Sequence, residues 1–530
     1  MQNDKIKKIL VLGGGSAGWM SAAYLWKALR GRVEVTLVES DRIGTVGVGE
    51  STIPTIRPIL FDFLEIPESE WMPACNATFK QGIKFVNWRD SPEEHGENHF
   101  YHVFGESKEH NEVPLTHYWI KKRLAGFSGD FSTTCYPSPT LMEEGRSPKH
   151  FDERVAVPYA YHFDATLVGD FLRDWAKTKG VRHVVDDVVG VERTETGDIE
   201  SVRTAGGQTL AADLFIDCSG FAGVLIEKTF EEPFISFSDC LLCDAAIALP
   251  VPHTSATLNP YTTATALENG WVWDTPLHDR IGAGYVYASQ FTTPEKAEAE
   301  LRGFLGPAAE GVEARHLRMR VGRRRNSWVG NCVSIGLSSC FTEPLEATGL
   351  YFIYAALYHL VRYFPTKRIN PILRDKFNER IAFMADDVRD FIAMHYCTSS
   401  REDTEFWRAN RHSLVIPDSL QAILDEYRAG VPIKMPYSGE SNYNKLIFDA
   451  SFDRFWTNSN YLAILTGMGQ LPETQLTVLD YRPEDDFEVD RILEEIASTT
   501  ETLRRELPSH REFIDHLNGE PVRSIRSASA

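Results

Sequence analysis

With 530 residues the chain is too long for one small core, so two or more lobes are expected. Its 43% hydrophobic and 25% charged residues are ordinary globular values. A net charge of −20 with no compensating basic block argues against a nucleic-acid or anionic-membrane partner and favours solubility.

The apolar run Ile9–Leu12 follows several lysines, but glycines break it after four residues, too short for an export segment. No uninterrupted apolar stretch approaches the ~18 residues of a membrane span. Eight cysteines make no disulfide framework, and Cys240 and Cys243 form a lone CxxC without a second pair. No metal site is expected, and a reducing cytoplasm fits best.

In chain order, Lys8–Leu12 reads as a buried strand and 16–30 as a helix. A second buried strand over 33–38 has Glu39 at its end, which completes a β-α-β unit of about ~30 residues. The segment NATFKQGIKF reads as one alternating strand carrying Lys80 and Lys84. A helix is expected over DATLVGDFLRDWAK, strands over 181–203, and a buried strand in DLFIDCSG. The stretch 234–329 is strand-rich, and beyond Leu350 apolar residues recur at helical spacing.

Gly13-Gly14-Gly15-Ser16-Ala17-Gly18 satisfies GxGxxG between that first strand and helix. Gly13 permits the tight turn, Gly15 lets backbone approach a pyrophosphate, and Gly18 allows close helix–strand packing. The helix start supplies unpaired N–H groups and the positive dipole end. Glu39, twenty-one residues beyond Gly18, is placed for a ribose 2′-OH. A second glycine-rich loop, Gly44 to Pro54, holds Gly49, Glu50 and Ser51. Late strands ending at Asp217-Cys218-Ser219-Gly220 and Ser334-Ile335-Gly336 return to the same sheet. Together they point to FAD rather than NAD, with a discontinuous cofactor domain.

The segments GGGSAGWM, GVGESTIP, FYHVFG, YHFDATLV, DCSGF, NCVSIGLSSCFTEPLEATG, FWRAN and FWTNSNY run nearly the whole length. With GWVWDTP and Lys80, they make the chain similar to the flavin-dependent tryptophan halogenases. The resemblance implies an α/β fold, with a Rossmann-like FAD-binding domain of the glutathione-reductase-like flavoprotein type and a mostly helical C-terminal substrate region. It places the FAD-binding region in 1–355, interrupted by substrate-facing segments around 75–150 and 234–330. The helical substrate region follows at 356–530.

The activity implied uses FADH2, delivered by a separate flavin reductase, with O2 and chloride or bromide. Hypohalous acid is relayed to Lys80 and halogenates an electron-rich aromatic, tryptophan or a related indole. Glu346 orients the oxidant or accepts the ring proton, and backbone at Thr348 and Gly349 holds the halide. Val188, Gly336 and Leu350 join Gly13, Gly15, Ser16, Ala17, Gly18, Glu39, Gly49, Glu50 and Ser51 at the cofactor. Trp271 and Trp273 shield the flavin, while Ile83, His102, Phe104, Phe455, Trp456 and Asn460 hold the aromatic ring. A homodimer is compatible with this reading. Direct hydroxylation by a flavin monooxygenase, or a catalytically silent flavoprotein, are the rival readings. The Trp pair, Lys80, Glu346 and the lack of an NADPH motif stand against them.

Two motifs depart from the family pattern: Thr275 stands for isoleucine in WxWxIP, and Ala347 for serine in PLESTG. The positions that grip free tryptophan in the family are here Asn444, Lys445 and Ser451. Lys445 can still pair with a carboxylate, but Ser451 cannot neutralise an ammonium, and Tyr443, Asp449 and Asp453 compensate only if the loop shifts by one or two residues. An indole with a neutral side chain is expected to be accepted at least as well as tryptophan.

Overall fold

The structure, a computed structural model, describes residues 4–44, 47, 49–433 and 455–520. The chain divides into two units built from interleaved segments. One takes residues 1–76, 163–238 and 319–389, the other 77–162, 239–318 and 390–530.

In the first unit, Lys8–Leu12 is buried from Ile9 onward and lies inside a six-stranded sheet. The order is Arg182–Val185, Glu34–Glu39, Lys8–Leu12, Leu214–Asp217, Cys332–Ser334 and Trp328–Val329. All neighbours are parallel except the last pair. Strands that are apolar on both faces are what a parallel sheet covered on both sides requires. Helix Ser16–Ala28 packs against helices Ala165–Thr178 and Gly349–Arg362. Asp164 caps the former by accepting from the N–H groups of Thr166 and Leu167. A three-stranded satellite, Val188–Arg193, Ile199–Thr204 and Thr209–Ala211, buries Val202 and Leu210 against Leu10, Leu12 and Val38.

The second unit holds a seven-stranded sheet, ordered Arg315–Arg318, Ala245–Ala248, Ile281–Tyr287, Gly270–Pro276, Thr262–Ala266, Gly82–Val86 and His99–Val103. Only Thr262–Ala266 and Gly82–Val86 run parallel. Residues beyond Cys397 contribute helices Glu405–His412, Asp418–Arg428, Asn458–Gly467, Asp485–Glu506 and His510–Leu517.

One sequence expectation fails here. NATFKQGIKF is not a single strand: Thr78–Lys80 pairs with Ala160–Phe163, whereas Gly82–Val86 belongs to the seven-stranded sheet. Gln81 is the joint, its N–H donating to the Pro260 carbonyl at 2.7 Å. Gly82 then lies so close to the neighbouring strand that a Cβ would stand 2.6 Å from the His102 carbonyl oxygen. Alternation continues through the joint, which is why the pattern reads as one strand.

Candidate active site: a dinucleotide cradle and a buried lysine beside an aromatic cluster

In the first unit, Gly13 follows directly on its strand with φ +115°, donating to the Val38 carbonyl. A Cβ on Gly13 would lie 2.3 Å from the Cys218 carbonyl oxygen, and one on Gly18 would lie 1.8 Å from the Gly13 carbonyl oxygen. A Cβ on Gly15 would meet nothing within 4 Å. The turn is thus closed against protein at Gly13 and Gly18 and open at Gly15, where backbone is accessible to a phosphate. Ser16 ties the turn to the next helix by donating to the Ala165 carbonyl at 3.0 Å.

Glu39 ends the second strand, half-buried, its carboxylate 2.6 Å from His183 Nε2. It also lies over Gly14, where a Cβ would overlap its oxygen. The fingerprint pattern leaves position 14 open, yet only glycine fits beneath Glu39 in this arrangement. His183, 144 residues away in sequence, had no motif to mark it. Gly336, at φ +74°, faces Ala17, whose Cβ would be 2.8 Å from one added there. Val188 starts the satellite sheet and packs, half-buried, on the cluster around Leu12 and Val38. Gly49 is buried and Glu50 and Ser51 are half-buried. These features fit a dinucleotide, with glycine where backbone must approach it and an acid at the ribose end.

Glu346 is buried in the short turn Pro344–Glu346, followed by Ala347 at φ +58°. The left-handed conformation at Ala347 costs roughly 1–2 kcal/mol for a residue with a Cβ. That kink starts helix Gly349–Arg362 with Thr348 as its buried N-cap, Gly349 exposed and Leu350 buried. No Cβ contact would occur within 4 Å of Gly349. The space beside Gly349 is thus open, and the first turn of a helix carries backbone N–H groups without intrahelical partners, which suit an anion.

In the second unit, Lys80 is fully buried with Nζ 5.3 Å from the Phe104 ring centroid. Lys84, its partner in the sequence pattern, is instead a partly exposed ion pair with Glu143 at 2.9 Å. Behind Lys80, Thr78 donates to the Pro276 carbonyl, and His162 bridges the hydroxyls of Thr78 and Thr262. Burial, the Lys80 charge and His510 hold His162 well below the usual histidine range. A neutral imidazole spares the lysine a second buried positive charge.

Ile83 and His102 are cross-strand partners, both buried. Asn460 Nδ2 donates to His102 Nε2 at 3.0 Å. Its Oδ1 is committed to the Thr457 N–H at 2.8 Å, which fixes the amide orientation and leaves His102 Nε2 as acceptor. Trp456 stands edge-on to Phe455, with centroids 4.5 Å apart. It also stacks on Phe391, a residue of helix Pro371–Cys397 that no motif marked. Trp271 and Trp273 lie two apart on Gly270–Pro276, rings 6.5 Å apart and both buried. Gly284 makes room for Trp273, whose ring a Cβ there would approach to 2.2 Å. Tyr443, Asn444, Lys445, Asp449, Ser451 and Asp453 lie outside the described residues.

Cys240 and Cys243 are buried free thiols. Among the described residues, three metal-capable side chains converge at His278, Asp515 and Glu520, a group containing neither cysteine. No helix among them is long and apolar enough to cross a membrane.

A parallel sheet with a glycine cradle at its first strand end defines an α/β protein of the dinucleotide-binding class, and its second unit holds a buried lysine beside an aromatic ring. Comparison with known proteins narrows this. The tryptophan halogenase family model matches residues 8–484, and the chain belongs to that family. It is 47% identical to tryptophan 7-halogenase RebH of Lentzea aerocolonigenes, over 98% of this chain and 100% of that protein. It is 43% identical to tryptophan 6-halogenase ThaL of Streptomyces albogriseolus, over 98% and 99%. The crystal structure of tryptophan 6-halogenase SttH from Streptomyces toxytricini superposes with a TM-score of 0.88 at 40% identity, over 96% of this chain and 99% of that one. The chain is accordingly a flavin-dependent halogenase.

Proposed function

We propose that this enzyme uses FADH2 from a separate flavin reductase, with O2 and chloride or bromide, to halogenate tryptophan or a related indole. Reduced flavin, when bound, would supply the two electrons with which O2 is cleaved, one oxygen oxidising the halide to hypohalous acid and the other leaving as water. Gly13, Gly15, Ser16, Ala17 and Gly18 receive its pyrophosphate, and Glu39 its ribose. Gly49, Glu50, Ser51, Val188, Gly336 and Leu350 complete the cofactor site. The backbone at Thr348 and Gly349 holds the halide.

Lys80 takes up the oxidant and presents it to the ring. A lysine can serve here as a nucleophile in its amine form or as a hydrogen-bond donor in its ammonium form. Glu346 orients the oxidant or receives the proton the ring loses on substitution. Trp271 and Trp273 keep the flavin from hydroxylating the substrate directly. Ile83, His102, Phe104, Phe455, Trp456 and Asn460 hold the indole. The enzyme works in the cytoplasm, and a homodimer is compatible with it.

The observation that carries this reading, beyond family membership, is the fully buried Lys80 beside the Phe104 ring, in a strand apart from its surface-paired neighbour Lys84. The test is incubation with FAD, a generic flavin reductase, NADH and bromide against an indole panel. Products carrying the paired bromine isotope masses are expected; oxygenated products without halogen would favour a monooxygenase.

A further inference from the structure

In the second unit, the hairpin turn that follows strand Gly270–Pro276 meets helix His510–Leu517. His278 lies in that turn, Asp515 on the helix and Glu520 three residues beyond its end. His278 Nε2 is 3.6 Å from a carboxylate oxygen of Asp515 and 3.7 Å from one of Glu520. One ligand atom from each of the three lies within 4.8 Å of the others. The Asp515 side chain is 7% exposed. Among the described residues no donor reaches hydrogen-bond distance of its carboxylate: His278 stops at 3.6 Å, and Arg511 stands 4.0 Å away while donating to the His278 carbonyl.

A buried carboxylate without a hydrogen-bond donor is costly, and such charges are found paired or coordinating a metal. The spacing here suits an ion. Zinc bonds of about 2.0–2.2 Å put neighbouring ligand atoms ~3.3–3.6 Å apart around a tetrahedral centre. The imidazole fixes the class of metal, since magnesium and calcium take oxygen ligands whereas zinc and its first-row neighbours accept nitrogen. We propose that His278, Asp515 and Glu520 bind a divalent transition cation, zinc by preference, with water beside the half-exposed Glu520 as fourth ligand. The role is structural and separate from the flavin chemistry. The Pro276 carbonyl accepts the Thr78 hydroxyl, and His510 Nε2 accepts the Phe79 N–H. The ion thus ties together two elements that both touch strand Thr78–Lys80, on which the buried lysine sits.

The test is calorimetric titration of the tag-free, full-length, EDTA-treated enzyme with Zn2+ and, separately, with Mg2+. One zinc ion per chain is expected, with Mg2+ bound at least about tenfold more weakly. His278→Gln is expected to abolish zinc binding. Glu520→Gln, at a half-exposed position, is expected to weaken it at least tenfold, since even an outer-shell partner is worth about 10–100-fold. Saturating Zn2+ is expected to raise the Tm of the wild type and to leave that of His278→Gln unchanged. Should His278→Gln fail to fold, Glu520→Gln decides alone. No zinc binding by the wild type would overturn the proposal and leave His278 an imidazolium between two acids. Zinc binding that the variants retain would overturn it by placing the ion elsewhere, and Mg2+ bound as tightly as Zn2+ would reduce the group to an acidic patch.

Discussion

Trp456 and Phe391 lie face to face, ring centroids 3.9 Å apart and planes within 7° of parallel. Phe391 also meets the His102 ring at 5.8 Å and Tyr461 at 5.1 Å, so it backs two of the side chains assigned to the indole. Such pairs contribute about 0.5–1.5 kcal/mol beyond area burial. Phe391→Leu, which keeps the site apolar, is expected to raise KM for an indole substrate about two- to tenfold. An unchanged KM would show that Trp456 holds its place without this backing.

Lys80→Ala is expected to abolish halogenation while FAD still binds and reduced flavin is still consumed by O2. Lys80 belongs to the second unit and to no part of the glycine fingerprint. Product formation and reduced-flavin consumption, followed side by side, separate the two steps. Halogenated product at a near wild-type rate would remove Lys80 from the chemistry.

Gly13→Val is expected to release FAD. At φ +115° a β-branched residue is strained, and its Cβ would stand 2.3 Å from the Cys218 carbonyl oxygen. Flavin content of the purified variant is the readout. Stoichiometric FAD with ordinary affinity would mean that the cofactor does not depend on this turn.

Asp274, between Trp273 and Thr275, has its carboxyl pushed by burial from an ordinary 3.8 up to about 6. The native state thus binds this proton more tightly than the unfolded chain does. The associated stability is complete below about pH 3.8 and lost as pH rises through about 6. Asp274→Asn is expected to raise Tm by about 2–4 °C at pH 7.5, for each kcal/mol relieved, and by less at pH 5. An equal gain at both pH values would show that the carboxyl does not titrate in this range.

The amino-acid sequence alone determined the class of fold and the chemistry. GxGxxG between an apolar strand and a helix, with Glu39 at the end of the next strand, is legible because the turn, the open backbone at Gly15 and the acid at the strand end are set by local spacing. The halogenase resemblance likewise rests on contiguous segments such as GVGESTIP and FWTNSNY. Tertiary structure decided everything that depends on which distant segments meet. Lys80 and Lys84 share one alternating pattern, yet a joint at Gln81 sends their strands to different sheets, burying one lysine and leaving the other in a surface ion pair. Phe391 carries no motif, and its role follows from where a 27-residue helix ends against Trp456. Glu106 and Thr457 are 351 residues apart. Periodicity reports which face of an element is apolar, but a polar contact across such a separation leaves no mark on local spacing. This contact therefore becomes visible only when the chain is folded.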